Sequence, residues 1–169
     1  TPQFEKKLIF SGNPSRFPHI IDWKYDTPLH VYTEPVEGVD YSKIHMEGWR
    51  TKQELLLELS KGGFGLVWDG DSAETCSGVF GEYLRYNNSH KASLYLASGF
   101  PLVVWKQSAL SHFVLENGCG IAVESLQELK ATIDNLSDTD YQDLVENTKR
   151  VGKGIRDGHY LLTALNNLK

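Results

Sequence analysis

The stretch that decides the fold begins Gly62-Gly63-Phe64-Gly65-Leu66-Val67-Trp68-Asp69-Gly70-Asp71. After a polar interval it resumes as Tyr86-Asn87-Asn88-Ser89-His90-Lys91-Ala92-Ser93-Leu94-Tyr95-Leu96-Ala97-Ser98-Gly99-Phe100-Pro101-Leu102-Val103-Val104-Trp105. It reads as strand, polar loop, helix, tight turn, strand. Residues 64–68 and 102–105 are short runs that stay apolar rather than alternating, the pattern of parallel strands covered on both faces. Between them, residues 90–97 predict a helix behind an Asn-Asn-Ser cap, with Gly99 placed to end it and Pro101 opening the next strand. Gly65, inside its strand, marks either a close approach by another backbone or a tolerated weakness.

Outward from this unit the same alternation continues. Leu8-Ile9-Phe10 predicts a first strand over 7–11, closed by Ser11-Gly12-Asn13-Pro14-Ser15. A short helix near Pro18, a strand over 29–33 and an extended segment over 44–49 follow. Thr51-x-x-Glu54 is a capping-box pattern that opens a helix with Leu55, Leu56 and Leu59 as its apolar stripe, stopped by Ser60-Lys61-Gly62-Gly63. Residues 69–88 form a long polar loop, and loops of that length in compact domains tend to be functional. Downstream come a helix over 108–116, the turn Asn117-Gly118-Cys119-Gly120 and a strand over 121–123. A second capping-box pattern, Ser125-x-x-Glu128, opens a helix over 126–136. Helices over 139–152 and 160–168 are set apart by the glycine-rich stretch 151–158. The fold class is therefore α/β, a single doubly wound, Rossmann-like parallel sheet with helices gathered at the C-terminal end. No internal repeat is visible.

Composition narrows the function. A chain of 169 residues, 40% apolar and 23% charged, suits one globular domain. A formal net charge of −5 argues against general nucleic-acid binding, which needs a basic, phosphate-facing surface. Cys76 and Cys119 have no CxxC spacing and are too few for a disulfide scaffold, so a reducing compartment, the cytoplasm, is expected. No run of 18 apolar residues is present, so no membrane span is expected. The chain opens on Thr1-Pro2-Gln3-Phe4 without an initiator Met or a signal peptide, a start that processing or a tag explains as well as a domain cut from a larger protein.

Open parallel sheets bind ligands at the carboxyl ends of their strands. Residues 12–16, 69–74 and 106–108 land there. The helix that starts behind Ser89 adds free backbone N–H groups and the positive end of its dipole. Lys91 adds a full charge, and His90 a donor whose protonation responds to a phosphate. Arg16 offers a planar fork to a phosphate or a base edge. A diphosphate fits this set better than a neutral ligand. Each residue also has a plainer reading. In that reading Lys91 pairs with a carboxylate such as Glu82 or Asp71, His90 makes a local surface bond, and Arg16 snorkels. Asn88 or Ser89 is an N-cap with or without a ligand. Trp68, Phe100, Trp105 and Tyr95 read first as core. Gly62-Gly63-x-Gly65 precedes its strand, whereas a dinucleotide loop must follow one, and no Walker A or HExxH sequence occurs. The histidines and cysteines show no metal-ligand spacing, and Asp69, Asp71 and Glu74 read as a solvated loop, so no metal is predicted.

The residues from Gly62 to Trp105, with Val114-x-x-Asn117-x-x-Gly120-Ile121-Ala122-Val123-Glu124-Ser125, resemble the C-terminal half of a GT-B glycosyltransferase. The resemblance is closest to bacterial glucosyltransferases that extend the sugar on serine-rich adhesins and to galactofuranosyltransferase-like proteins, and it runs from about Lys7 to the C-terminus. It implies that residues 1–169 are the donor-binding domain, with the N-terminal acceptor domain outside this chain. It also implies a UDP-sugar donor, UDP-glucose foremost, and a glycoprotein or glycan acceptor reached through that other half. Carried over, Gly12 and Arg16 face the diphosphate, Trp68, Asp69, Asn87 and Asn88 border the nucleoside, and His90 and Lys91 hold the phosphates. The family generally needs no metal when the protein supplies that charge. Glu74 and Glu82 match the Glu-x7-Glu spacing of retaining members but precede the His90-Lys91 helix, so no catalytic residue is assigned. The competing readings are a non-catalytic nucleotide-sugar-binding or regulatory module, and a structural domain for homo-oligomer assembly.

Overall fold

The computed structural model describes residues 2–12, 18–68 and 90–156. Its six strands form one sheet in the order β3-β2-β1-β4-β5-β6, with every neighbouring pair parallel. They are β1 (Gln3–Ser11), β2 (Leu29–Tyr32), β3 (His45–Met46), β4 (Gly62–Val67), β5 (Leu102–Trp105) and β6 (Gly120–Val123). The helices are α1 (Pro18–Ile21), α2 (Lys52–Leu59), α3 (His90–Ala97), α4 (Ala109–Asn117), α5 (Leu129–Asp134) and α6 (Asp138–Arg156). From β1 the chain steps to one edge of the sheet through β2 and β3, then returns past β1 and steps to the other edge. Under the right-handed crossover rule, this reversal places the two sets of connections on opposite faces. The expected Rossmann-like α/β class is therefore what the chain adopts.

Burial explains the unbroken apolar runs. Leu8, Ile9 and Phe10 of β1, and all of β4 and β5, are buried, because each strand has a neighbour on both sides and a layer on both faces. A single register row crosses the sheet from His45 through His30, Ile9, Gly65 and Leu102 to Gly120. Side chains of one such row share a face.

Local signals are mostly realised. Thr51 Oγ accepts from the Glu54 N–H while the Glu54 carboxylate accepts from the Thr51 N–H, completing the capping box of α2. At the end of α3, Gly99 N–H donates to Leu96 and Phe100 N–H to Tyr95. With Gly99 at φ +72° and Phe100 against Tyr95, this is a Schellman motif with its apolar contact.

Three expectations change. First, β4 starts at Gly62 rather than at Phe64, and β1 at Gln3 rather than at Lys7. These starting residues pair, Gln3 with Gly62, at φ +132° for the glycine. A Cβ there would lie 2.0 Å from the Gln3 carbonyl oxygen, so the glycines serve the sheet rather than the helix stop. Second, Ser125 and Glu128 make no reciprocal box. Ser125 Oγ accepts from Gln127 N–H and the Glu128 carboxylate from Glu124 N–H, giving a 3₁₀ turn over Leu126–Glu128 before a short α5. Third, α6 runs unbroken through Gly152 to Arg156. A Cβ on Gly152 would stand 2.2 Å from the Leu96 carbonyl oxygen, so this glycine lets α6 lie directly on α3. That packing outweighs the helix penalty of glycine, about 1 kcal/mol. The expected loop over 69–88 and helix over 160–168 lie outside the described residues. Among the described residues, no helix is long and apolar enough to cross a membrane.

Tyr141 fastens α6 to the sheet. Its hydroxyl donates to Gly63 O at 2.9 Å and accepts from Gly63 N–H at 3.0 Å, and its ring stacks on Phe4 and meets Phe64 edge-on. Burial pushes its pKa up to about 12, against an ordinary 10.0, and the Gly63 N–H offsets only part of the shift. An acid whose pKa is higher folded than unfolded keeps more protons in the native state. Its stabilising share is therefore whole below about pH 10 and is lost as pH climbs toward 12. Burial shifts Tyr32 and Tyr95 in the same direction. Urea melts at pH 8 and pH 11 should show a marked alkaline loss of stability. Tyr141→Phe should flatten that loss while costing about 1–3 kcal/mol at pH 8 through the stranded Gly63 groups.

Candidate functional site

The sheet reverses its winding between β1 and β4, so the crevice at their carboxyl ends is the topological switch point where such sheets bind ligands. Gly12 follows β1 there, in a half-buried bend. Trp68 follows β4 at this end of the sheet and is 1% exposed, so its ring belongs to the core. Helix α3 begins at His90, placing the backbone of His90 and Lys91 in its first turn. Arg16, Asp69, Asn87 and Asn88 lie outside the described residues, as do the side chains of His90 and Lys91.

Tyr95 holds α3 at this crevice. Its hydroxyl accepts from the Ser11 N–H at 3.2 Å and faces the Ile9 carbonyl oxygen at 3.4 Å, both near the carboxyl end of β1. Its ring fills the space left by Gly65 on β4, where an added Cβ would stand 2.4 Å from Cδ2. The close approach expected at Gly65 is thus made by a side chain rather than by a backbone. Full burial raises the phenol's pKa, which keeps it a neutral donor. One residue therefore joins the helix that carries His90 and Lys91 to both strands of the switch point. Its sequence signal was faint, because Tyr95 and Gly65 are far apart along the chain and meet only through the β4–α3–β5 crossover.

The end of β5 adds a second group of polar atoms. Lys106 N–H donates to Val123 O, and Gln107 Nε2 to the Glu124 carboxylate at 3.2 Å, so the β5 and β6 exits stay paired past the strands. Lys106 is exposed beside them. Ser108, the N-cap residue of α4, is 7% exposed, and its Oγ has no hydrogen-bond partner among the described residues. A buried hydroxyl without a partner is uncommon, and here it stands at a helix N-terminus on the carboxyl side of the sheet. The stretch 106–108 was legible as a strand end. The stranded hydroxyl of Ser108 was not, since it depends on α4 leaving its N-cap side chain unused.

Away from the crevice, strand pairing gathers His30, His45 and Glu47, whose ligand-type atoms lie within 4.8 Å of one another. Spacing along the chain had shown no such cluster, because His30 and His45 become neighbours only through the β2–β3 register.

Comparison with known proteins agrees with this architecture. The family described as "Glucosyltransferase 3-like, C-terminal domain" matches residues 8–168. Glucosyltransferase 3 of Streptococcus gordonii is 39% identical over 162 residues, covering 94% of this chain and 47% of its own length. Beta-1,6-galactofuranosyltransferase WbbI of Escherichia coli (strain K12) is 35% identical over 161 residues, covering 95% and 48%. The chain thus spans about half the length of these relatives. Among solved structures, the glycosyltransferase WaaG superposes with a TM-score of 0.52 at 12% identity, over 88% of this chain and 43% of that one. AviGT4 superposes at 0.50 and 16% identity, over 96% and 52%. These structural likenesses speak to the fold alone. The family match and the two relatives above 30% identity go further: this chain belongs to the Glucosyltransferase 3-like C-terminal domains, a GT-B-like glycosyltransferase domain related to bacterial glucosyltransferases and galactofuranosyltransferases.

Proposed function

We propose that this domain holds a UDP-sugar, UDP-glucose foremost, across the carboxyl ends of β1, β4 and β5, as the donor half of an enzyme that transfers the sugar to a protein or polysaccharide acceptor. The observation that carries the reading is the anchoring of α3 by Tyr95, which sets a helix N-terminus beside the switch point. The diphosphate lies at that N-terminus, held by backbone N–H groups and by His90 and Lys91, with Gly12 and Arg16 facing it from the β1 side. Trp68, Asp69, Asn87 and Asn88 border the nucleoside. The leaving diphosphate gains negative charge as the glycosidic bond breaks. Fixed cations and dipoles at its position therefore favour the transition state over the bound donor. The names of the relatives, one a glucosyltransferase and one a galactofuranosyltransferase, support a hexose donor and leave its identity to the residues around the sugar.

Calorimetric titration with UDP, UDP-glucose, GDP, ADP and CDP tests this reading. UDP and UDP-glucose should bind and raise the melting temperature, with the other nucleotides weaker by about tenfold or more, the discrimination expected when a base edge is hydrogen-bonded. Absence of heat and of thermal protection at millimolar UDP would overturn it.

A further inference from the structure

We propose that His30, His45 and Glu47 form a binding site for a zinc-type divalent cation at the β3 edge of the sheet, separate from the donor crevice. One imidazole nitrogen from each histidine and one Glu47 oxygen lie within 4.8 Å of one another. The three come from two adjacent strands and the residue that follows them. His30 and His45 are register partners on β2 and β3, their rings stacked with centroids 4.4 Å apart. Glu47 is fixed by its N–H, which donates to Val31 O at 2.9 Å, and its carboxylate reaches His30 Nδ1 at 2.8 Å. All three backbones are thus placed by the sheet ladder before any ion arrives.

The donor set selects the ion. Two imidazoles and one carboxylate suit zinc and its first-row neighbours, whereas calcium and magnesium call for oxygen ligands throughout. Zinc bonds of about 2.0–2.1 Å bring tetrahedral ligand atoms to roughly 3.3 Å apart. The present spacing closes to that by turning imidazole torsions that have broad minima. His45 is exposed, while His30 and Glu47 are part-buried, with side-chain exposures of 22% and 33%. On binding, any proton on a coordinating nitrogen is released to water and the His30–Glu47 hydrogen bond gives way to coordination. The ion then staples a strand of only two residues, His45–Met46, to β2.

The test uses the full chain without a polyhistidine tag, titrated with Zn²⁺ by calorimetry and with Co²⁺ by visible absorption, alongside thermal melts. One equivalent of Zn²⁺ should bind and raise the melting temperature, and Co²⁺ should give the intense visible bands of a tetrahedral site. His45→Gln, at an exposed position, and Glu47→Gln should each weaken binding by about 10- to 100-fold and abolish the thermal shift. His112→Ala, which removes the surface His112–Glu116 pair, should change nothing. Binding that is absent, or that is undiminished in both His45→Gln and Glu47→Gln, would overturn the assignment.

Discussion

Replacing Gly65 with alanine is expected to lower the unfolding free energy by about 3 kcal/mol, the upper end of ordinary overpacking. The new Cβ would stand 2.4 Å from Tyr95 Cδ2, 2.6 Å from Cγ and 2.8 Å from Cε2. Gly65 has no unusual φ, so the penalty is one of space rather than of backbone conformation. The ring has little room to retreat, because its hydroxyl is bonded to Ser11 and Phe100 packs beside it. Behind it, Gly152 of α6 lies on the Leu96 carbonyl at the next residue of α3. Either β4 or α3 must therefore move. Combining Gly65→Ala with Tyr95→Leu, which shortens the obstructing side chain, should be milder than the sum of the single changes by at least about 1 kcal/mol. Urea denaturation of the wild type, both single variants and the double variant measures this directly. Additive effects would show that the two residues do not share the strain.

Lys91→Ala is expected to weaken UDP binding by about 30-fold, roughly 2 kcal/mol, the usual worth of a hydrogen bond to a charged group. The backbone places Lys91 in the first turn of α3, where a cation is unfavourable unless an anion faces it. The two candidate anions have different signatures. If the partner is the diphosphate, affinity falls and the ligand-free melting temperature stays put or rises slightly. If the partner is Glu82 or Asp71, the ligand-free protein loses stability and UDP affinity hardly changes. Titration calorimetry of wild type and variant, paired with melts in the absence of nucleotide, separates the two. Salt should weaken UDP binding to the wild type more than to the variant, because the lost contact is ionic.

Much of the fold was legible because its elements are locally specified. The strand over Leu102–Trp105 and the helix over His90–Ala97 have the expected bounds, each set by a punctuating residue at its end: Pro101 before the strand and Gly99 after the helix. The capping box at Thr51 was equally plain. Where the reading slipped, the deciding contact was long-range. Gly62 and Gly63 looked like a helix stop, yet their place is set by Gln3 and Lys7 on the neighbouring strand. Gly152 looked like the end of a helix, yet Leu96, far off in the chain, makes it an interior residue. The site divides in the same way. Its position at the carboxyl strand ends follows from topology, and so was foreseeable from the alternation of strands and helices. The role of Tyr95 and the stranded hydroxyl of Ser108 required the packed structure.

The meeting of Gly65, Tyr95 and Gly152 around α3 also bears on how homologous sequences should vary. A helix wedged between a strand on one side and another helix on the other has its depth in the fold set by three side-chain volumes. Positions 65, 95 and 152 therefore constitute one volume distributed over three places in the chain. A homologue with a smaller residue at 95 has room for a methyl group at 65. One with a side chain at 152 must let α6 ride higher over the Leu96 turn. Substitution at any one of these positions is legible only together with the other two, and the triplet provides a three-letter code for where the first turn of α3 stands relative to the sheet.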